Sequence, residues 1–168
     1  DKLMLTTRLN CIINYVNCEC AADIGTDHAY AATELIRLGR AKRVIAADVR
    51  QGPLNAAIEN IKKNRMENEI ETRLGSGLSV LKPGEADECI IAGMGGELIA
   101  RIVTECVFTN EHTHFILQPM TKAEILRREL YANGFEITEE RTAQSAGKTY
   151  TVMLAVYTGI KQEIDDRF

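Results

Sequence analysis

The sequence predicts an α/β fold: a mostly parallel β-sheet with helices on both faces and an antiparallel hairpin at its C-terminal end. Two observations lead to this prediction. Short apolar stretches alternate with helix-length amphipathic stretches up to residue 133, which is typical of parallel strands joined by crossover helices. Two further strand-like stretches then follow each other with no room for a helix between them, so they are expected to pair antiparallel.

The strands are predicted from apolar stretches of strand length that end at turn-forming residues. They are expected at residues 20–24, 43–48, around 70–74, 88–93, 114–119, 135–141 and 149–157. The last two are joined by a loop that contains Gly147. This short connection is what predicts the hairpin.

Helices are predicted between these strands. They are expected over residues 3–16, from the turn after 25 to about 38, over 53–63, up to about 106, and up to 133. Thr6 or Thr7 is the expected N-cap of the first helix and Thr121 that of the last, because a threonine hydroxyl can accept from a free amide. Pro53 suits a first helical turn, and Gly39 suits a helix end.

The composition limits the class of protein. Hydrophobic residues make up 45% and charged residues 26% of the 168 residues, as in a globular protein with one substantial core. No apolar run has the length of a membrane span. The five cysteines are scattered without a C-x-x-C pair, and the three histidines do not cluster with them. We therefore expect a cytoplasmic protein with reduced thiols, no metal site and no membrane association.

The turn after the first strand (ADIGTDHAY, 22–30) is acidic where a nucleotide-binding turn is rich in glycine. Gly25 stands between Asp23 and Asp27, and Asp48 ends the second strand at about the spacing expected of a ribose-binding acid. Carboxylates would repel a pyrophosphate. The sequence therefore favours a ligand with a ribose and a positive centre but no phosphate, which describes S-adenosylmethionine.

Each aspartate also has a purely structural interpretation. Asp23 could accept hydrogen bonds from the amides of the turn, and Asp27 could cap the helix that follows. The net charge of −4 neither indicates nor excludes binding to nucleic acid.

These segments resemble one protein family. ADIGTDHAY, AADVRQGPLNAAIENIKKN, RLGSGLSVL, IIAGMGGELI, ILQP and the hairpin with GKTY are similar to the bacterial tRNA adenine-N1 methyltransferases that modify position 22. The resemblance runs from about Leu5 to Val156. It implies a Rossmann-like class I methyltransferase fold with a seven-stranded sheet, S-adenosylmethionine as cofactor and tRNA as partner.

The cofactor is expected to contact the turn at 23–28, the ends of the second and fourth strands and the GSG turn. With Arg8 as a candidate partner of the methionine carboxylate, the predicted contacts are Arg8, Asp23, Gly25, Thr26, Asp27, Asp48, Val49, Gly75, Ser76, Gly77, Ala92, Gly93 and Met94. The sequence departs from the family in two respects. Ala31 and Ala32 stand where relatives carry leucine and proline. The family continues into a C-terminal coiled coil, so residues 1–160 are expected to be one methyltransferase domain and 161–168 a stub of that region.

The catalytic candidates are Asp27, to accept from the adenine amino group, Tyr30, to stack on the base, and His28, to position it. Packing of Tyr30 in the core and an ordinary helix-start hydrogen bond for His28 are the alternatives. Substrate contacts are expected at Gly95, Gly96, Gln118 and Pro119. The glycines could instead serve a helix-entry turn.

Three other functions remain open at this point. A nucleotide-dependent oxidoreductase would need phosphate-binding glycines, which are missing from the turn. A non-catalytic binding module could keep the same fold. A methyltransferase acting on a small molecule or a protein would show the same cofactor pattern.

Overall fold

The computed structural model describes residues 2–106, 112–145 and 147–165. Within them a seven-stranded sheet has the order β3-β2-β1-β4-β5-β7-β6. The strands are β1 (Cys18–Ile24), β2 (Ala41–Asp48), β3 (Ile70–Leu74), β4 (Glu88–Gly95), β5 (His114–Thr121), β6 (Phe135–Ser145) and β7 (Lys148–Tyr157). The α-helices are α1 (Lys2–Ile13), α2 (Tyr30–Arg37), α3 (Gln51–Lys63), α4 (Gly96–Thr104) and α5 (Ala123–Ala132).

The predicted architecture is confirmed. Strands β1 to β5 pair in parallel, whereas β7 runs antiparallel to both β5 and β6. β1 lies between β2 and β4, so the order of connection reverses beside it. In an open α/β sheet such a reversal leaves a crevice at the carboxyl ends of the strands, where ligands bind.

The two faces of the sheet are covered by different helices. Ile12 of α1, Leu35 of α2 and Ile61 of α3 are buried in one cluster. Val103 of α4 and Leu126 of α5 are buried in the other. Because both faces are covered, the inner strands carry apolar residues almost continuously, which is why they could be recognised in the sequence.

The predicted helix starts were wrong at both threonine sites. α1 begins at Lys2, so Thr6 and Thr7 lie inside it. Thr121 is the last residue of β5, where it pairs with Gly95, and Lys122 precedes α5 with φ 54° and no side-chain cap. The longer strand displaces the helix start, because pairing with β4 continues past Pro119.

No helix in the described ranges is both long enough and apolar enough to cross a membrane. The same part of the chain contains no group of three or more histidine, cysteine, aspartate or glutamate side chains suited to a metal ion.

Candidate functional site

A cleft of about 1310 Å³ opens at the carboxyl ends of β1, β2, β3 and β4, where the strand order reverses. Pockets for a single small molecule usually measure roughly 300–1,000 Å³. The cleft therefore has room for a ligand of cofactor size and for part of a second molecule. One side of it is formed by α1 and the other by α4.

A buried carboxylate lies at the centre of the cleft. Asp23 is 7% exposed, and its Oδ2 accepts a hydrogen bond from the Thr26 hydroxyl at 2.8 Å. Burial raises the pKa of Asp23 to about 6; the Thr26 bond opposes this rise, and the nearby charges of Asp48 and Asp27 add to it. At neutral pH the site therefore holds a costly negative charge, which a bound cation would relieve.

The other two carboxylates differ in exposure. Asp48 is 7% exposed, and its Oδ1 accepts from the Arg50 backbone N–H at 2.9 Å. The Asp27 side chain is 75% exposed, and its Oδ1 lies 2.7 Å from Nδ1 of His28. Asp48 thus presents a fixed oxygen at the cleft wall, whereas Asp27 can turn toward a molecule at the cleft mouth.

The backbone amides of the turn are already engaged. The N–H groups of Gly25 and Thr26 both donate to the carbonyl of Ala47, at 2.8 and 2.9 Å, and the Asp27 N–H donates to the Gly25 carbonyl. A phosphate-binding turn needs such amides free.

The two structural interpretations of the aspartates were also wrong. The Asp23 carboxylate accepts from the Thr26 hydroxyl and not from an amide of the turn, and α2 starts after Ala29 with no side-chain cap.

Two glycines allow the walls of the cleft to come close together. Gly25 has φ 82°, and a Cβ there would lie 2.4 Å from Cε of Met94. Gly93 has φ 78°, and a Cβ there would lie 3.2 Å from Nη1 of Arg8. L-residues with side chains rarely adopt this backbone region, so both positions favour glycine for their conformation. The space is less decisive, because Met94 Cε and Arg8 Nη1 are the ends of flexible side chains.

Arg8 reaches the cleft from the middle of α1. Its Nη1 lies 3.5 Å from Oε1 of Gln118 and 3.6 Å from the sulfur of Met120. Gln118 is fully buried, and its Oε1 also accepts from the Gly93 N–H at 3.2 Å. Gln118 thereby ties α1 to the end of β4.

The structure brings most of the predicted residues together. All of the predicted cofactor contacts and the three catalytic candidates line this one cleft. The rings of His28 and Tyr30 stack at 5.2 Å between centroids, and Tyr30 is exposed rather than packed in the core. The role of each residue in binding or catalysis stays a prediction.

The four predicted substrate residues do not line the cleft. A Cβ on Gly96 would lie 2.2 Å from the carbonyl oxygen of Lys122, so this glycine permits contact with the start of α5. A Cβ on Gly95 would lie 3.1 Å from the Thr121 hydroxyl of β5, and Gln118 and Pro119 are buried. Their contact with a substrate stays a prediction that the cleft itself does not support.

The wall formed by α4 was not predicted from the sequence. Its cleft-lining residues recur at helical spacing and extend just past the helix end: Leu98, Arg101, Ile102 and Glu105. Ile102 packs against the Gly77 turn, where a Cβ would lie 3.3 Å from its Cγ2. The i, i+3, i+4, i+7 spacing was visible in the sequence, but it does not reveal which face of a helix borders a cleft.

Comparison with known proteins agrees with this geometry. A methyltransferase domain family matches residues 5–153. The tRNA (adenine(22)-N(1))-methyltransferase of Bacillus subtilis is 36% identical over 158 residues, which cover 92% of this chain and 66% of the relative. The chain therefore spans slightly less than two thirds of that relative's length.

Solved structures show the same relationship. A Streptococcus pneumoniae protein in complex with S-adenosyl-L-methionine superposes with a TM-score of 0.87 at 33% identity, covering 96% of this chain and 77% of that one. M. capricolum TrmK, solved with S-adenosyl-homocysteine, gives a TM-score of 0.83 at 28% identity over 96% of this chain and 73% of its own. The chain therefore belongs to the methyltransferase domain family and, within it, to the bacterial tRNA (adenine-22-N1)-methyltransferase family that its motifs resemble.

Proposed function

We propose that this chain is a cytoplasmic, S-adenosylmethionine-dependent methyltransferase that modifies N1 of adenine 22 in tRNA, with its methyltransferase domain over residues 1–160. The observation that carries the proposal is the buried, uncompensated carboxylate of Asp23 beside Asp48 in a cleft whose turn amides are engaged. Such a cleft favours a cationic ligand over a phosphate. The Bacillus subtilis relative, named for this reaction, supports the choice of substrate.

The residues of the cleft fit the cofactor. Asp48 ends β2 where an acid can accept from ribose hydroxyls, and Asp23 offers its charge to an ammonium group. Arg8 offers a guanidinium to a carboxylate near Gly93. When bound, S-adenosylmethionine supplies an electrophilic methyl group on a positively charged sulfur.

The reaction requires little proton transfer by the protein. Adenine N1 has an in-plane lone pair, so no residue has to remove a proton before attack. The base must be unpaired or flipped out to expose this edge. Catalysis then rests on alignment, which can contribute about 7–11 kcal/mol to lowering a barrier.

In this proposal the turn that carries Asp27, His28 and Tyr30 provides the alignment. Asp27 is exposed at the cleft mouth and can accept from the exocyclic amino group next to N1. The stacked His28 and Tyr30 rings present a flat aromatic surface for a base. N1-methyladenine is cationic, so the acidic lining of the cleft also favours the charge that develops on the base.

The test is methyl transfer to a tRNA transcript, with the product mapped by nuclease digestion and mass spectrometry. We expect N1-methyladenine at position 22 and none in a transcript with guanine at that position. Methylation of neither transcript by a protein that binds S-adenosylmethionine in calorimetry would refute the tRNA substrate. Binding of NADH in preference to S-adenosylmethionine would refute the methyltransferase itself.

A further inference from the structure

The turn between β1 and α2 has an unusual backbone. His28 and Ala29 both have φ 57°, so two consecutive residues with side chains lie in the left-handed region. This region is unfavourable for a residue with a side chain, because its Cβ lies too close to the following carbonyl oxygen. Residues held in this way cluster at functional sites and persist only when their surroundings fix them. The contacts that fix this turn therefore bear on the site.

A hydrogen bond from α3 helps to fix the turn. The side-chain amide of Asn60 donates to the carbonyl oxygen of His28 at 2.8 Å, across 32 positions of sequence. This carbonyl belongs to the first of the two left-handed residues. Nδ2 of Asn64, one helical turn later, donates to Oδ1 of Asn60 at 3.1 Å, which leaves the Asn60 amide nitrogen directed at His28.

Two further hydrogen bonds fix Ala29, the residue that follows His28. The Ala29 N–H donates to the Thr26 carbonyl at 2.7 Å, and the Thr33 hydroxyl donates to the Ala29 carbonyl at 3.0 Å. These bonds are local to the turn and the start of α2. Asn60 differs from them because it connects the turn to a separate helix packed on the sheet.

We propose that Asn60 is a positioning residue that fixes the strained turn and so places Asp27, His28 and Tyr30 at the cleft mouth. Asn60 itself does not line the cleft, so its effect acts through the backbone of His28. The part of this inference that concerns turnover rests on the proposed function. The part that concerns the turn stands on geometry alone.

The test compares Asn60→Asp with Asn60→Ala. Aspartate keeps the shape of asparagine but replaces the amide donor by a charged oxygen that repels the His28 carbonyl, whereas alanine removes the donor without adding a charge. An effect that both variants share therefore belongs to the lost hydrogen bond. Asn55→Ala is the matched control: Asn55 is the same residue type on the same helix, and its Oδ1 accepts a hydrogen bond from Nε2 of Gln51 at 2.7 Å. Should Asn60→Ala fold poorly, Asn60→Asp carries the comparison.

Two measurements follow for each variant. Hydrogen exchange of the Ala29 amide, read by NMR, should accelerate about five- to tenfold in both Asn60 variants, the range set by loss of one such hydrogen bond. The kcat for tRNA methylation should fall by a similar factor of about five to ten. The cofactor KM should change less than about twofold, because the buried carboxylates Asp23 and Asp48 lie in β1 and β2 and not beside the strained residues His28 and Ala29. Asn55→Ala should change neither.

An Ala29 exchange rate in Asn60→Asp equal to that of the unsubstituted protein overturns the inference, whatever the activity. Faster exchange with unchanged kcat overturns the link to catalysis. Faster exchange in a protein that methylates no tRNA supports the positioning of the turn and counts instead against the proposed function.

Discussion

Replacing Asp23 by asparagine should make the protein more stable and less able to bind its cofactor. The carboxylate is 7% exposed, and its pKa of about 6 stands well above the ordinary value of 3.8. This difference corresponds to about 3 kcal/mol by which the folded protein disfavours the ionised form. Asparagine keeps the shape and an oxygen that can accept from Thr26, so the substitution removes the charge and little else.

For a chain of this length, a gain of 1 kcal/mol raises Tm by about 2–4 °C, so about 3 kcal/mol sets an upper limit of roughly 6–12 °C. The gain should depend on pH in a definite direction. A carboxyl whose pKa is raised on folding contributes most to stability below its unfolded pKa of 3.8, and that contribution is lost as pH rises through about 6. The advantage of the variant should therefore grow between pH 4 and 6 and level off above.

The assay is urea unfolding at a series of pH values, together with calorimetric titration of S-adenosylhomocysteine. Asp27→Asn is the matched control, because it neutralises a carboxylate in the same turn that is 75% exposed. Its stability should change by no more than about 0.5 kcal/mol. An Asp23→Asn protein that is less stable than the parent at pH 7.5 would show that the buried charge is compensated, and the reasoning on the cleft would fail with it.

Three further predictions use other parts of the structure. Affinity for S-adenosylhomocysteine should fall as pH drops below about 6, by up to about tenfold per pH unit, and calorimetry should find this dependence absent in Asp23→Asn. Glu85→Gln should lower the unfolding free energy by about 1–3 kcal/mol at pH 7, because Glu85 accepts two hydrogen bonds from Arg73 at 2.6 and 2.7 Å. Those bonds hold the pKa of Glu85 at about 2, so urea unfolding should show the difference closing as pH falls from 4.5 toward 2. Gly96→Ala should cost about 1–3 kcal/mol by overpacking against Lys122, whereas Gly52→Ala, which meets nothing within 4 Å, should be neutral or slightly stabilising in thermal unfolding; equal effects would contradict the packing argument.

The strands and the strand-end residues could be predicted from the sequence because each depends on local pattern. A strand buried on both faces is an apolar stretch, and its last residues necessarily meet those of its parallel neighbours at one edge of the sheet. Asp23 and Asp48 could therefore be placed in one cleft without a structure. The roles of Thr121 and Gly96 could not be foreseen, because both follow from how far β4 and β5 remain paired.

The contact between α3 and the turn before α2 could not be predicted from the sequence either. Asn60 stands in a stretch of polar residues typical of an exposed helix face, and nothing local marks it as a partner of His28. The left-handed backbone of His28 and Ala29 was hidden as well, since both are ordinary residues for the start of a helix. Strain of this kind is a property of the tertiary structure, where local preference is overridden near a site.

The acidic residues of the turn and its engaged amides each disfavour a dinucleotide such as NAD, by separate means. A dinucleotide site presents free amides to the pyrophosphate and keeps carboxylates away from it. Here the amides of Gly25 and Thr26 bond the end of β2, which draws the turn down against the sheet and leaves the Asp23 carboxylate facing the cleft. Exchanging the aspartates for neutral residues would remove the repulsion but would not free those amides. We therefore infer that affinity for NAD would not appear in an Asp23→Asn, Asp27→Asn double variant, and that the selectivity of this cleft lies in its backbone as much as in its charge.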